Sequence, residues 1–342
     1  MASLHPIESF SDASSKTGQI SKRLQPIDED LRQLKDNLRL LLKSETKTQD
    51  VILDHIFASS GKFIRPSLFF LSCDLFGYQG PFRASIACVC EYIHQASLLH
   101  DDVIDNSVLR RNKPCANRIW GDVSAILLGD LIYARASELM AQSGELKLVE
   151  CFARSIRKMS EGELLQLEHS FNLQIGQELY FTILSAKTGC LMGACCEAAG
   201  ILAGANANVL AALNKFGHSV GIAFQMIDDA LDFTSDAQTL GKNVAADLLE
   251  GKVTLPVLLV WEQASAEEKE RLGSLFEPSV DLVLEAQWVS SLVKRYGAAE
   301  ETIRLASQKT TEAIFVLEQH VAQSQSREDL VSLVKLLLTR VR

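Results

Sequence analysis

Twice in this chain an apolar, helix-patterned run ends in three aspartates at positions i, i+1 and i+4. The first run is HQASLLHDDVID at 94–105, and the second is FQMIDDALD at 224–232. On a helix, residues four apart lie one above the other and the next residue is turned by about 100°. Asp101 therefore shares a face with Asp105 while Asp102 flanks it, and Asp228, Asp232 and Asp229 repeat the pattern. Crowded carboxylates repel one another, and without a counter-charge they destabilise the helix or force a proton onto one member. One such cluster alone is equally compatible with a solvated acidic helix end. Two of them on buried runs place carboxylates where unpaired charge is costly, so the fold is expected to bring the two helix ends to face each other across a cavity.

Oxygen ligands without His or Cys favour a hard cation, and Mg2+ suits a site that substrate phosphates complete. An EF-hand is excluded because its loop glycine and glutamate are missing. Lys62, Arg65, Arg110, Arg111, Lys187 and Lys242 stand beside Gly, Pro or Thr in otherwise apolar surroundings. Arg suits bidentate phosphate recognition and Lys a point-charge contact. A cavity with an acidic, metal-binding wall and a cationic wall can hold diphosphates on both. His94 taken alone reads as a hydrogen-bonded core histidine, and so does His100.

The rest of the chain reads as helix. Residues 1–25 are polar and unpatterned, a flexible N-terminal segment. Pro26 and the acids Asp28, Glu29 and Asp30 suit the first turn of a helix. A further helix spans about 50–59, and apolar residues dominate 68–76. The helix carrying the first acidic cluster runs to about Asp105, and a basic turn follows at 110–114. Helical segments recur at about 116–143, 146–172, 178–203 and 207–234, with breaks at glycines and polar clusters. Strand-like alternation is rare. The pattern predicts an all-α fold, a single domain over 26–342 built as a bundle of long helices around a central cavity.

Composition narrows the function classes. A net charge of −9 over 342 residues argues against a nucleic-acid partner. The eight cysteines show neither paired CxxC spacing nor a secretory leader, and read as reduced core residues. No uninterrupted apolar run approaches the roughly 18 to 20 residues of a membrane span. A cytoplasmic enzyme is expected, with at most transient membrane contact.

The motifs, in this order and spacing, resemble those of the trans-isoprenyl diphosphate synthases, most nearly the long-chain polyprenyl, octaprenyl-type members. Gly61-Lys62-Phe63-Ile64-Arg65-Pro66 matches the family's GKxxRP, His94 precedes the first DDxxD at the usual distance, and Arg110 and Arg111 follow it. Gly129-Asp130, Glu161-Gly162-Glu163 with Gln166, Lys187-Thr188, Gln225 with the second DDxxD, Gly241-Lys242, and Gly251-Lys252-Val253-Thr254-Leu255-Pro256 fall into register. Asn112 replaces a frequent Gly, Phe63 a frequent Arg, and Ala246 removes a carboxylate near the second cluster, leaving Asp247 to serve alone.

The resemblance implies the isoprenoid synthase fold and a prenyltransferase that adds isopentenyl diphosphate to an allylic diphosphate such as farnesyl diphosphate, giving a long polyprenyl diphosphate of the kind used in quinone side chains. Asp101, Asp102, Asp105, Lys187, Asp228 and Asp229 would form the catalytic set, with Mg2+ on Asp101, Asp105 and Asp228. Arg110, Lys187, Thr188, Gln225 and Lys242 would bind the allylic diphosphate. Lys62, Arg65, His94 and Arg111 would bind isopentenyl diphosphate. A homodimer is implied as well.

Product length can be argued from the residues. Ala96 and Ser97 lie five and four positions before Asp101, roughly 6 to 7.5 Å along the helix axis, on the path of a growing chain. Two small residues leave that path open, so the product is expected to exceed farnesyl or geranylgeranyl length. Ala134 and Ser137 are also small, so the floor of the tunnel is not identified. A shorter-chain synthase, a terpene cyclase and a non-catalytic synthase subunit are the alternatives. Cyclases usually carry an Asn/Ser/Glu metal motif at the second site, and non-catalytic subunits typically lack the aspartates.

Overall fold

The computed structural model describes residues 25–42, 46–58, 61–111, 113–234 and 245–338. After a 3-10 turn at Gln25–Ile27, helix α1 (Asp28–Leu40) begins with three acids at the positive end of its dipole and buries Leu34 and Leu38. Helices α2 (Lys47–Ala58) and α3 (Ile64–Asp74) follow. Helix α4 (Arg83–Ile104) carries the first acidic cluster and ends one residue short of Asp105, which caps it.

The basic turn is a hairpin. Strands β1 (Leu109–Arg110) and β2 (Lys113–Pro114) pair antiparallel, with Arg110 opposite Lys113. The segment expected as one helix from 116 is two, α5 (Ala116–Trp120) and α6 (Asp122–Gln142). Gly121 breaks it at φ 81°, a left-handed conformation that glycine adopts without a Cβ penalty. Asn112 and Lys242 lie outside the described residues.

Helix α7 (Leu146–Glu168) leads to α8 (Gly176–Leu184), which passes through a single π-turn, Ser185–Gly189, into α9 (Cys190–Leu202). Helix α10 (Ala207–Thr234) has the predicted bounds and carries the second cluster. The chain ends with α11 (Ala246–Leu249), α12 (Leu255–Gln263), α13 (Ala266–Gly273), α14 (Leu282–Arg295), α15 (Ala298–His320) and α16 (Gln325–Leu338). Among the described residues the two short strands are the whole of the β-structure.

Helix α10 runs between α9 and α15, and α4 packs on α6. The first approach is backbone to backbone. A Cβ on Gly217 would stand 2.4 Å from the Met192 carbonyl oxygen, and one on Gly221 2.9 Å from Gly189 Cα. One buried apolar cluster gathers around α3, α4, α6 and α9, and a second around the end of α10 with α12, α14 and α15. All eight cysteines are buried and unpaired. Gly176–Leu202 is long and apolar enough to cross a membrane by length and composition, though interrupted by Glu178, Lys187 and Glu197, and 67% of its most apolar window is buried against neighbouring helices.

Candidate active site

The helical phase of α4 turns Asp102 away from Asp101 and from Asp105 at the C-cap. Asp102 is 4% exposed and turned inward. Arg110, brought back beneath the helix by the hairpin, grips it through Nε at 3.0 and 3.1 Å and Nη2 at 2.7 Å. Asp105 sits at the helix C-terminus, where the dipole opposes a negative charge, and Lys252 Nζ meets it at 2.7 Å. The same ammonium bonds Glu250 at 2.7 Å. Despite burial, the two carboxylates hold Lys252 above its usual basicity.

Asp101 is half-buried, and burial together with the Glu163 and Asp105 carboxylates pushes its carboxyl up to about 6, against the pull of Lys187 and Arg110. Lys187, on the π-turn, forms an ion pair with Glu163 and donates to Gln166 Oε1 at 3.1 Å. Gly162 lets α7 close on that turn, since a Cβ there would lie 2.6 Å from Ala186 Cβ.

On α10, Asp228 is half-buried and Asp229 is 2% exposed. Gln225 Nε2 and the Tyr180 hydroxyl donate to the two Asp229 oxygens at 3.0 and 2.6 Å. Burial and the nearby Asp247 carboxylate still push Asp229 up to about 8. Thr188 Oγ1 donates to Gln225 Oε1 at 3.2 Å. Asp232 accepts the Asp247 N–H at 3.2 Å and, through its carbonyl, the Ala245 N–H at 3.1 Å, tying the returning chain to the helix end.

The cationic wall lies on α3, α4 and the hairpin. Lys62 is exposed, and Arg65 has a buried Nε without a hydrogen-bond acceptor. Burial lowers the basicity of the Arg65 guanidinium, while Glu91 and Asp228 favour its charged form. Arg111 adopts φ 52° and lies over Gly61, where a Cβ would stand 2.5 Å from Nη2. Burial and the charges of Arg65, Arg111 and Arg110 depress His94 well below the ordinary range, so its imidazole is neutral at pH 7. His100 is partly exposed rather than a core histidine, with Nε2 3.1 Å from the Ile126 carbonyl and 3.4 Å from an Asp130 oxygen, packed against Gly129. Ala96 is 0% exposed, and Ser97 is half-buried with its hydroxyl donating to the His94 carbonyl at 2.8 Å.

Lys252 links the two acidic helix ends: its ammonium meets Asp105 at 2.7 Å, and its backbone N–H donates to the carbonyl of Asp247 at 2.8 Å, whose own N–H is held by Asp232 at 3.2 Å. Among the described residues, no three acidic, His or Cys side chains converge at metal-ligand spacing. Lysine ammoniums stand there instead, at Glu163 beside Asp101 and at Asp105. The donor set nonetheless fits a hard divalent ion. It offers carboxylate oxygens, and a dication would offset both the burial of Asp101 and its repulsion from Glu163 and Asp105, which together raise its carboxyl.

Three participants did not stand out as site residues in the sequence. Lys252 has the same Gly-Lys context as Lys242, a signal available but unused. Glu91, 3% exposed and bonded by Gln95 Nε2 at 2.6 Å, shares a helix face with His94 and balances Arg65 and Arg111. Tyr180 meets Asp229 across 49 residues of sequence, and no local pattern announces it.

Comparison with known proteins gives consistent matches. A profile described as polyprenyl synthetase matches residues 46–288, more than half of the chain. The octaprenyl diphosphate synthase of Escherichia coli is 35% identical over 306 residues, 88% of this chain and 93% of that one. A short chain isoprenyl diphosphate synthase of Methanothermobacter thermautotrophicus is likewise 35% identical, over 84% of this chain and 89% of its own. The crystal structure of a polyprenyl synthase from Caulobacter crescentus, complexed with calcium and isoprenyl diphosphate, superposes with a TM-score of 0.88 at 33% identity, covering 94% of this chain and 98% of that one.

Proposed function

The chain belongs to the polyprenyl synthetase family and is a prenyltransferase, and from that premise we propose that it condenses isopentenyl diphosphate repeatedly onto an allylic diphosphate such as farnesyl diphosphate, to a long-chain all-trans polyprenyl diphosphate of the kind used for quinone side chains. The observation that carries this reading is the Lys252 bridge that ties Asp105 of the first aspartate cluster to the segment held by Asp232 of the second, with a separate cationic wall. One diphosphate can be held at each.

Asp101, Asp105 and Asp228 would hold Mg2+, which supplies charge neutralisation of the allylic diphosphate as a leaving group. Lys187 and Lys252 carry positive charge to the same place, and Thr188, Gln225 and Arg110 surround it. Lys62, Arg65 and Arg111 receive the diphosphate of isopentenyl diphosphate, and the neutral His94 offers a hydrogen bond rather than a charge. The allylic C–O bond breaks, the electron pair leaves with diphosphate, and the double bond of isopentenyl diphosphate attacks the resulting cation. The proton then lost passes to the departing diphosphate. The chain's own contribution is alignment, charge stabilisation and exclusion of water.

Incubation of the purified protein with Mg2+, farnesyl diphosphate and labelled isopentenyl diphosphate tests the reading. The expected outcome is a ladder of products beyond geranylgeranyl length. A ladder that stops at geranylgeranyl length would leave the second reading, a shorter-chain synthase, which the equal identity to a short-chain relative favours. Absence of any elongated product would overturn both.

A homodimer is part of the proposal. Val123, Leu127 and Leu131 form an exposed apolar stripe along α6, at 71%, 62% and 39% exposure. A cytoplasmic site of action, with membrane contact only for product release, completes it.

A further inference from the structure

Tyr180 and Asp229 form the lower rung of a buried ladder between α8 and α10, and Thr188 and Gln225 form the upper rung. Gln225 joins the rungs along α10, accepting from Thr188 and donating to Asp229 one turn further on. Its amide is oriented by that chain, because only the oxygen can accept from Thr188 while the nitrogen donates to a carboxylate. Both oxygens of Asp229 are thus engaged from within the protein, at 2.6 Å by the Tyr180 hydroxyl and at 3.0 Å by Gln225. Tyr180 and Asp229 are each 2% exposed. Asp229 points into the body of the protein, whereas its neighbour Asp228, turned by about 100° on the helix, is half-buried.

Resting on the function proposed above, we propose that Tyr180 is a positioning residue. Its hydroxyl anchors Asp229 and so sets the rotation and register of the α10 end that presents Asp228, relative to the π-turn that presents Lys187 and Thr188. The two helices need such a device. Where they cross, Gly189 and Gly221 bring backbone against backbone, and the side-chain ties across the crossing include the hydrogen bonds Ser185–His218, Thr188–Gln225 and Tyr180–Asp229. A π-turn inside a helix is also rare and frequently marks a functional site. The Tyr180–Asp229 bond is short, at 2.6 Å, and ties α8, just before the turn, to the acidic helix end.

Tyr180→Phe keeps the ring and removes the one bond. Thermal shift with Mg2+ and inorganic diphosphate as the probe reads the role directly. The Mg2+ concentration for half-maximal stabilisation is expected to rise about fivefold to tenfold, with little change in the unliganded Tm. In turnover, KM for farnesyl diphosphate should rise and kcat fall about tenfold, while KM for isopentenyl diphosphate, held on α3, α4 and the hairpin, stays unchanged. In an Asp229→Ala background, which leaves no acceptor for the hydroxyl, Tyr180→Phe should add nothing further, since the two act as one unit. A Mg2+ curve superimposable on wild type, a wild-type protein without a Mg2+–diphosphate shift, or a Tyr180→Phe effect that persists in Asp229→Ala would each overturn the assignment. A general loss of unliganded Tm with both KM values moved equally would reduce Tyr180 to a packing residue and overturn it too. If wild type binds Mg2+ and diphosphate but elongates nothing, the proposed activity fails while the binding curves still decide Tyr180.

Discussion

At the scale of single residues, the site contains charges that stability alone would not select. Asp101 is held beside Glu163 and Asp105, and its carboxyl is raised to about 6 by burial and that company. Asp101→Ala should therefore leave Tm unchanged or raise it, while turnover falls by about a thousandfold or more. Asp228→Ala should reduce turnover similarly. Near-normal rates in either variant would refute the metal assignment. His94 makes the opposite kind of statement. Its native pKa lies well below the ordinary value near 6.5, so below that pH the unfolded chain takes up a proton that the native site refuses. Stability contributed by the neutral imidazole is complete above about pH 6.5 and is lost at about 1.4 kcal/mol per pH unit as pH falls toward the native pKa. Urea midpoints at pH 7.5 and 5.5 should differ less in His94→Gln than in wild type. His218, lowered by burial and by Lys158 and Lys309, contributes in the same direction and remains in the variant.

At the scale of elements, the phase of α4 sets which way each aspartate faces, and the returning segments supply its partner. Asp102 faces in and is taken by Arg110, Asp101 lies by Lys187 and Glu163, and Asp105 waits at the C-terminus for Lys252. The i, i+1, i+4 spacing made the shared face of Asp101 and Asp105 legible, but the partner of each depends on which segment returns beside it. Ala96 illustrates the limit. It lies fully buried among apolar neighbours, an environment compatible with a tunnel wall or with close helix packing. Ala96→Phe separates the two. A shortened product with a modest change in Tm is expected if the growing chain passes this face. Unchanged product length, with about 1–3 kcal/mol of destabilisation from overpacking, would make it a packing residue. Ala134 and Ser137 are exposed in the single chain, so neither lines an interior path within it.

For the whole molecule, the apolar stripe on α6 is where the single chain leaves burial unfinished. Leu127→Glu should place a charge in the centre of the proposed dimer interface and shift sedimentation from dimer to monomer. A wild-type protein that sediments as a monomer at micromolar concentration would remove the dimer from the proposal. The same view explains the long apolar run from 176 to 202. Its composition would serve a membrane, but α3, α7 and α10 cover it.

What the sequence by itself determined was local or periodic: helix after helix, with α10 at its predicted bounds, the aspartate faces, and the cations set beside glycine and proline. Those properties follow from spacing along one chain and need no neighbour. Only the tertiary structure decided the pairings, Lys252 with Asp105, Arg110 with Asp102, and Tyr180 with Asp229. A buried carboxylate takes whichever donor the fold brings within about 3 Å, and that depends on the packing of segments 147 and 49 residues apart.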